Sequence, residues 1–226
     1  MKSWDKLPKD LQIEAVRPYY DQLNRHRGGL LAKRIMDFIL GLILLIILSP
    51  FLLIIGVLVG LTSPGGVFFC QERVTTYGRH FKIIKFRTMV ANAESLGSQV
   101  TTKEDARVTG VGKFLRGVRL DELPQVINIV KGDMSFVGTR PEVPRYVDRY
   151  TDEMMATLLL PAGVTSKASI EYKDEEKLLS AAENVDDTYV EEVLPEKMKY
   201  NLQYLKEFSF FGDWKLMLQT VVAVLH

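Results

Sequence analysis

The sequence predicts an α+β protein fastened to a membrane from one side. Three observations predict it. One long apolar run carries Ser-Pro at its midpoint, two β-branched and aromatic segments flank a turn, and several later segments repeat apolar residues at helical spacing. The expected architecture is a monotopic membrane protein with an N-terminal re-entrant helix, a small β-hairpin and surrounding amphipathic helices. Its parts are a polar extension over residues 1–30, the membrane helix over 31–62 and a main domain over 63–226.

A chain of 226 residues with a formal charge of +1 is long enough for one cored domain plus a membrane element. The small net charge hides an asymmetry. Residues 1–34 hold 8 basic and 4 acidic groups, residues 71–119 hold 10 and 4, and residues 141–226 hold 9 and 16. Basic blocks on both sides of the apolar run suit an anionic membrane surface. Cys70 is the single cysteine, so an intrachain disulfide is excluded.

In the polar extension, Asp10 is placed to cap a helix through Ala15. Tyr19, Tyr20 and Leu23 form a second amphipathic turn, expected to pack against the protein. The apolar run over 35–61 begins after Lys33 and Arg34, and Asp37 is its only charge. It starts too late and runs too long for a signal peptide. Hydropathy alone reads it as one transmembrane helix. Two features favour re-entry instead. Pro50 removes a helix hydrogen bond that Ser49 is placed to replace, and Lys/Arg excess on both flanks gives neither end a reason to cross.

Segments 67–71 and 81–87 around Thr75-Thr76-Tyr77-Gly78 read as a hairpin, with Lys85 and Arg87 on one face of the second strand. Residues 92–104 form a polar connection, and Arg107 follows as a candidate anion contact. Next, Lys113, Arg116 and Arg119 recur every third residue along a short helix. Asp121 then suits a helix N-cap, with Pro124 in the first turn and Gly132 at the end. Leu123, Val126, Ile127 and Val130 supply its expected buried face. At such an N-terminus the helix dipole favours ionised carboxylates. Asp121 and Glu122 among several cations, with Arg140 beyond a Gly-rich loop, suit a divalent metal with phosphates. Spacing alone leaves open a simple helix cap beside a solvated basic face.

After Pro141, residues 153–160 read as helical, 180–192 as an acidic excursion and 195–208 as an amphipathic helix with Met198, Leu202 and Leu205 inward. A final apolar helix over 215–225 is too short to span a bilayer, and the aromatic cluster ending in Trp214 favours the membrane interface. His26, His80 and His226 stand apart from any nucleophile or metal-ligand pattern.

The run KFLRGVRLDELPQVINIVKGDMSFVGTRPE resembles the signature of bacterial sugar transferases of the monotopic phosphoglycosyl transferase type. Phe68-Phe69, Gln71-Glu72-Arg73, Lys85-Phe86-Arg87-Thr88-Met89 and Asp105-Ala106-Arg107-Val108-Thr109 also resemble family motifs. Thr139 stands where the family usually has Pro, and Leu160-Pro161-Ala162-Gly163-Val164-Thr165 follows the family's Arg-Pro-Gly-Ile-Thr-Gly only in part. The resemblance implies transfer of a phosphosugar from a nucleotide diphosphosugar to polyprenyl phosphate, with nucleoside monophosphate released. It implies Asp121 as the nucleophile and Glu122 as its partner in Mg²⁺- or Mn²⁺-dependent chemistry. Lys85, Arg87, Arg107, Arg116, Arg119 and Arg140 are then substrate-binding candidates. The family's re-entrant helix, broken at a Ser-Pro pair, maps to Ser49 and Pro50. Expected surroundings are the cytoplasmic face of a bacterial inner membrane and its lipids. No nucleic-acid partner is expected, and a homo-oligomer is left open. The rival readings are a bitopic protein with a partner-binding domain and a catalytically inert scaffold.

Overall fold

The computed structural model describes residues 1–62, 65–93, 105–172, 175–180, 182 and 184–225. Residues 94–104 of the polar connection, and Ala181 and Glu183 of the acidic stretch, lie outside the described residues. The chain opens with two 3₁₀ turns, Trp4–Lys6 and Lys9–Leu11, and helix α1, Arg17–Arg25. Pro8, rather than Asp10, precedes the second turn, and no helix runs to Ala15. Tyr19, Tyr20 and Leu23 are buried, as their spacing predicts, in a cluster with Leu11, Leu159, Leu205 and Phe208.

Helix α2, Arg27–Thr62, is a single 36-residue element with Pro50 inside it, long and apolar enough to cross a membrane. A proline at 50 deprives the carbonyl of residue 46 of its helical donor. Ser49 Oγ donates to that Ile46 carbonyl at 2.8 Å, so the hydroxyl replaces the lost N–H. Burial on α2 is confined to its two ends: Lys33, Asp37 and Gly41 near the start, Gly56 and Val59 near the finish. Gly41 lies against Ile129 and Val130, and Gly56 lies against Val67 and Phe86. Both ends therefore pack on one protein body, while the residues between present apolar side chains outward.

The first end is locked by polar contacts. Lys33 Nζ is 2.6 Å from Asp213 Oδ2 and donates to the Val137 carbonyl at 2.8 Å. Tyr204 Oη donates to Asp213 Oδ1 at 2.8 Å, and Asp37 Oδ1 accepts from the Phe136 N–H at 3.2 Å. These bonds satisfy the buried charges that an apolar surround would otherwise penalise.

Strands β1, Phe68–Thr75, and β2, Arg79–Phe86, pair antiparallel, Phe68 opposite Phe86 and Thr75 opposite Arg79. The turn at Thr76–Gly78 carries Tyr77 at φ 60. Helix α3, Gly110–Gly117, is capped by Thr109 Oγ1, which accepts from the Gly112 N–H at 3.0 Å. A 3₁₀ turn, Leu120–Glu122, leads into helix α4, Gln125–Lys131, which ends at Gly132 with φ 86. That left-handed C-cap suits glycine, as predicted.

Strand β3, Met134–Val137, pairs in parallel with β4, Ala162–Thr165. The periodicities predict neither strand, because four residues buried from both sides carry no alternation. Gly138 and Gly163 approach so closely that a Cβ on Gly163 would sit 2.2 Å from Gly138 N, which only glycine permits. Between these strands run the short helix α5, Pro144–Val147, and a 3₁₀ segment, Met154–Leu159, in place of the predicted helix over 153–160. The remaining helices are α6, Lys167–Glu171; α7, Glu175–Ser180; α8, Val185–Thr188; α9, Leu194–Lys206; and α10, Phe210–Leu225, with a π-helical turn, Tyr189–Val193, before α9. Met198, Leu202 and Leu205 of α9 point inward as predicted. On α10, Leu216 and Met217 pack on the core while Phe211, Trp214, Leu218, Val221 and Val222 are exposed.

Candidate active site

Four elements converge at the N-terminal end of α4. Asn128 aligns α4 with β2: its Oδ1 accepts from the Ile84 N–H at 3.0 Å and its Nδ2 donates to the Lys82 carbonyl at 2.8 Å. That register brings Lys85 of β2 to Glu122, Nζ to Oε1 at 2.9 Å. Arg140 arrives from the loop after β3, whose path is held where Gly163 N–H donates to the Thr139 carbonyl at 2.8 Å. Its guanidinium clasps the Glu122 carboxylate with both terminal nitrogens, Nη1 to Oε2 at 3.3 Å. Arg116 of α3 enters from the other side, its Nε donating to Thr88 Oγ1 at 2.9 Å.

The two adjacent carboxylates have different surroundings. Burial pushes Glu122 up, but Arg140 and Lys85 together pull its carboxyl well below the usual range. Asp121 is 7 % exposed and makes no ion pair among the described residues. Burial raises its carboxyl, Lys85 and Arg116 act against that, and Glu122 adds to it. The dipole argument for Asp121 is thus outweighed. Only a short 3₁₀ turn surrounds it, and desolvation is the larger effect. Lys85 is lowered by burial and held up by Glu122, while Glu122 raises Arg140.

The structure brings Lys85, Arg116 and Arg140 together around Asp121 and Glu122, and the other three candidates have different neighbours. Arg87 lies past the end of β2, with Nη2 3.4 Å from the Phe68 carbonyl. Arg107 is bound to its near neighbour Asp105, Nε to Oδ1 at 2.9 Å, and to the Ala93 carbonyl at 2.9 Å. Arg119 follows the end of α3 at φ 55 with its side chain exposed, and of Lys113, Arg116 and Arg119 only Arg116 is half-buried. The buried face of α4 also differs from its apolar pattern. Val126 is inside as predicted, but so are Gln125, Asn128 and Ile129, while Leu123, Ile127 and Val130 are half-buried. A polar side chain is drawn inward where it can bond the edge of β2, which Asn128 does twice.

Sequence reasoning passed over Asn128, Thr88 and Glu142. Glu142, two residues past Arg140, is buried and accepts from Tyr189 Oη at 2.5 Å, and Arg73 Nη1 lies 3.9 Å from it. Arg73 also donates to the Pro141 carbonyl at 3.1 Å, so the Arg140 loop is braced from behind. The one available signal was an acidic residue beside Arg140-Pro141.

Among the described residues, no three His, Cys, Asp or Glu side chains converge as an all-protein metal cage. Mg²⁺ and Mn²⁺ commonly bind through one or two carboxylates completed by substrate phosphates. Asp121, with no ion pair among the described residues, fits that open type of site, whereas both oxygens of Glu122 are already engaged by Lys85 and Arg140.

The bacterial sugar transferase family matches residues 29–226 of the chain. The chain belongs to this family. It is 37% identical over 196 residues to a UDP-N-acetylgalactosamine-undecaprenyl-phosphate N-acetylgalactosaminephosphotransferase of Aeromonas hydrophila, a match covering 85% of this chain and 43% of that protein. It is 34% identical over 214 residues to the UDP-glucose:undecaprenyl-phosphate glucose-1-phosphate transferase of Escherichia coli, covering 91% and 42%. A protein of that same name in Caulobacter vibrioides is 32% identical over 198 residues, covering 86% and 70%. The chain thus spans less than half the length of the first two. Within the family, the site described here is built from the part of the chain that these relatives match.

Proposed function

We propose that this sugar transferase family member moves a sugar 1-phosphate from a nucleotide diphosphosugar to a polyprenyl phosphate, with Asp121 as a covalent nucleophile. The observation that carries the reading is the division between neighbours. Glu122 is clasped by Lys85 and Arg140, whereas Asp121, buried beside the same cations, keeps both carboxylate oxygens out of ion pairs. The relatives' names, which specify UDP-sugars and undecaprenyl phosphate, agree with it.

In the first step an Asp121 oxygen attacks the phosphorus bearing the sugar. The bond from that phosphorus to the bridging oxygen breaks, and nucleoside monophosphate leaves with the electron pair. In the second step an oxygen of the lipid phosphate attacks the same phosphorus, and Asp121 leaves as a carboxylate. The product is a polyprenyl diphosphosugar. Lys85, Arg116 and Arg140 offset the charge on the transferring phosphoryl oxygens. A bound Mg²⁺ or Mn²⁺ supplies Lewis-acid polarisation of those oxygens. Burial pushes the Asp121 carboxyl up, so its carboxylate is more basic than that of an ordinary aspartate.

The membrane arrangement belongs to the same reading. Pro50 lies between Gly41 and Gly56, so α2 has a place to bend between its two buried ends. With both ends packed on one body, the stretch between them enters one leaflet and returns, which keeps Asp121 at the cytoplasmic surface of the inner membrane. Incubation with donor alone, followed by peptide mass spectrometry, tests the reaction. The expected result is a phosphosugar adduct on the peptide containing Asp121 with stoichiometric nucleoside monophosphate. An adduct on another residue, or none in an enzyme that turns over, overturns the assignment.

A further inference from the structure

Helix α3 has three faces with different surroundings. Leu115 and Val111 pack with Val59, Leu52 and Ile55 of α2. Arg116 faces inward to Thr88, 2.9 Å away. The third face is open: Phe114 is 65% exposed, Val118 just beyond the helix is 46% exposed, and Lys113 and Arg119 are exposed beside them. A Cβ at Gly110 or Gly117 would meet nothing within 4 Å, so among the described residues this side is uncovered at both ends of the helix.

We propose that the outer face of α3 is the docking site of the acceptor, the phosphate monoester of a long isoprenoid alcohol. Phe114 and Val118 lie along the first isoprene units, and Lys113 and Arg119 pair with the phosphate. This inference rests on the transfer reading above and names the place where its lipid substrate binds.

Three features favour this occupant. First, α3 packs beside the arm of α2 whose outward residues Leu53, Ile54, Val57, Leu58 and Leu61 are all at least half exposed, so Phe114 stands on a helix that adjoins an exposed apolar surface. Second, two exposed cations border that surface, which complements an apolar chain ending in a dianionic phosphate. Third, Arg119 is two residues from Asp121 and sits at φ 55, a left-handed conformation that non-glycine residues rarely adopt. Such strain is common where a side chain must be aimed at a ligand. At about 3.8 Å per Cα step, the Arg119 Cα lies within roughly 8 Å of the Asp121 Cα.

The test uses the full chain in vesicles. Benzoylphenylalanine introduced at position 114 is photolysed with polyprenyl phosphate and phosphatidylglycerol both present. Preferential capture of polyprenyl phosphate supports the docking site. Equal capture of both lipids overturns it in favour of a general anionic surface. This arm needs no turnover, so it stands apart from the reaction itself. In the second arm, the double variant Phe114→Ser, Val118→Ser is compared with wild type. Its donor-only burst of nucleoside monophosphate should stay within about twofold, while the KM for long-chain polyprenyl phosphate rises about tenfold and that for a short prenyl phosphate changes less. An unchanged KM, or a burst lost along with it, overturns the proposal. A wild type that gives no burst, yet captures polyprenyl phosphate preferentially at position 114, refutes the covalent reading and leaves the docking site standing.

Discussion

Glu122 on the turn before α4 and Arg140 on the loop after β3, 18 positions apart, form a two-pronged ion pair, and Lys85 closes on the same carboxylate at 2.9 Å. Removing one member of a largely buried cluster leaves the others uncompensated. Glu122→Ala should cost about 3 kcal/mol, read as a loss of thermal stability of the order of 6–12 °C. The depressed carboxyl contributes its stability above its unfolded pKa, and that contribution disappears as pH falls through the folded value. The Glu122→Ala deficit should therefore shrink in acid. A deficit independent of pH would show that Glu122 acts by packing alone.

Asp121 should show the opposite sign. Its carboxyl is raised by burial, so ionisation of the native state carries a penalty that is full above the folded pKa and fades as pH falls towards the unfolded one. Asp121→Asn should abolish transfer, by roughly 10³-fold or more, yet melt at the same or higher temperature than wild type at neutral pH. The donor burst of wild type should decline in acid at a higher pH than an ordinary aspartate titrates. Near-normal turnover of the Asn variant would remove Asp121 from the chemistry.

Two buried amides on α4 make a paired prediction. Asn128 satisfies both Ile84 N–H and the Lys82 carbonyl, whereas neither side-chain polar atom of Gln125 has a partner among the described residues. A buried group without a partner costs about 1–3 kcal/mol, and replacing a partnered one strands the groups it bonded. Gln125→Met should raise the melting temperature and Asn128→Leu should lower it. Equal shifts in one direction would contradict this difference.

The topology of α2 is tested by accessibility. In a Cys70→Ser background, single cysteines at Ser3 and at Lys82 should both resist an impermeant thiol reagent in intact cells and both react once the membrane is opened. Labelling of one alone from outside would make α2 a spanning helix. Changing Ser49 and Pro50 together to Ala and Leu removes the proline that frees the Ile46 carbonyl and the hydroxyl that bonds it, and should shift part of the population to the spanning form.

Much of this protein is determined by its sequence alone, because the relevant interactions are local. Consecutive apolar residues require a helix that satisfies its own backbone in lipid, and the one carbonyl freed by Pro50 finds the hydroxyl three residues on. The hairpin follows from strand-forming residues around a turn, the inward face of α9 from its repeat, and the C-cap at Gly132 from the glycine. The residues Lys85, Asp121, Glu122 and Arg140 could be picked out because they fall in stretches that resemble family motifs, whereas spacing alone left a simple helix cap open. Only the tertiary structure decided how they meet. Whether Glu122 or Asp121 takes the cations depends on a strand 37 positions away and a loop braced by the contact of Gly138 with Gly163. The parallel pairing of β3 with β4 and the inward turn of Gln125 and Asn128 are equally non-local. The direction of each carboxyl's shift belongs here too, since desolvation and ion pairing depend on what the rest of the chain packs against a residue and not on its neighbours in sequence.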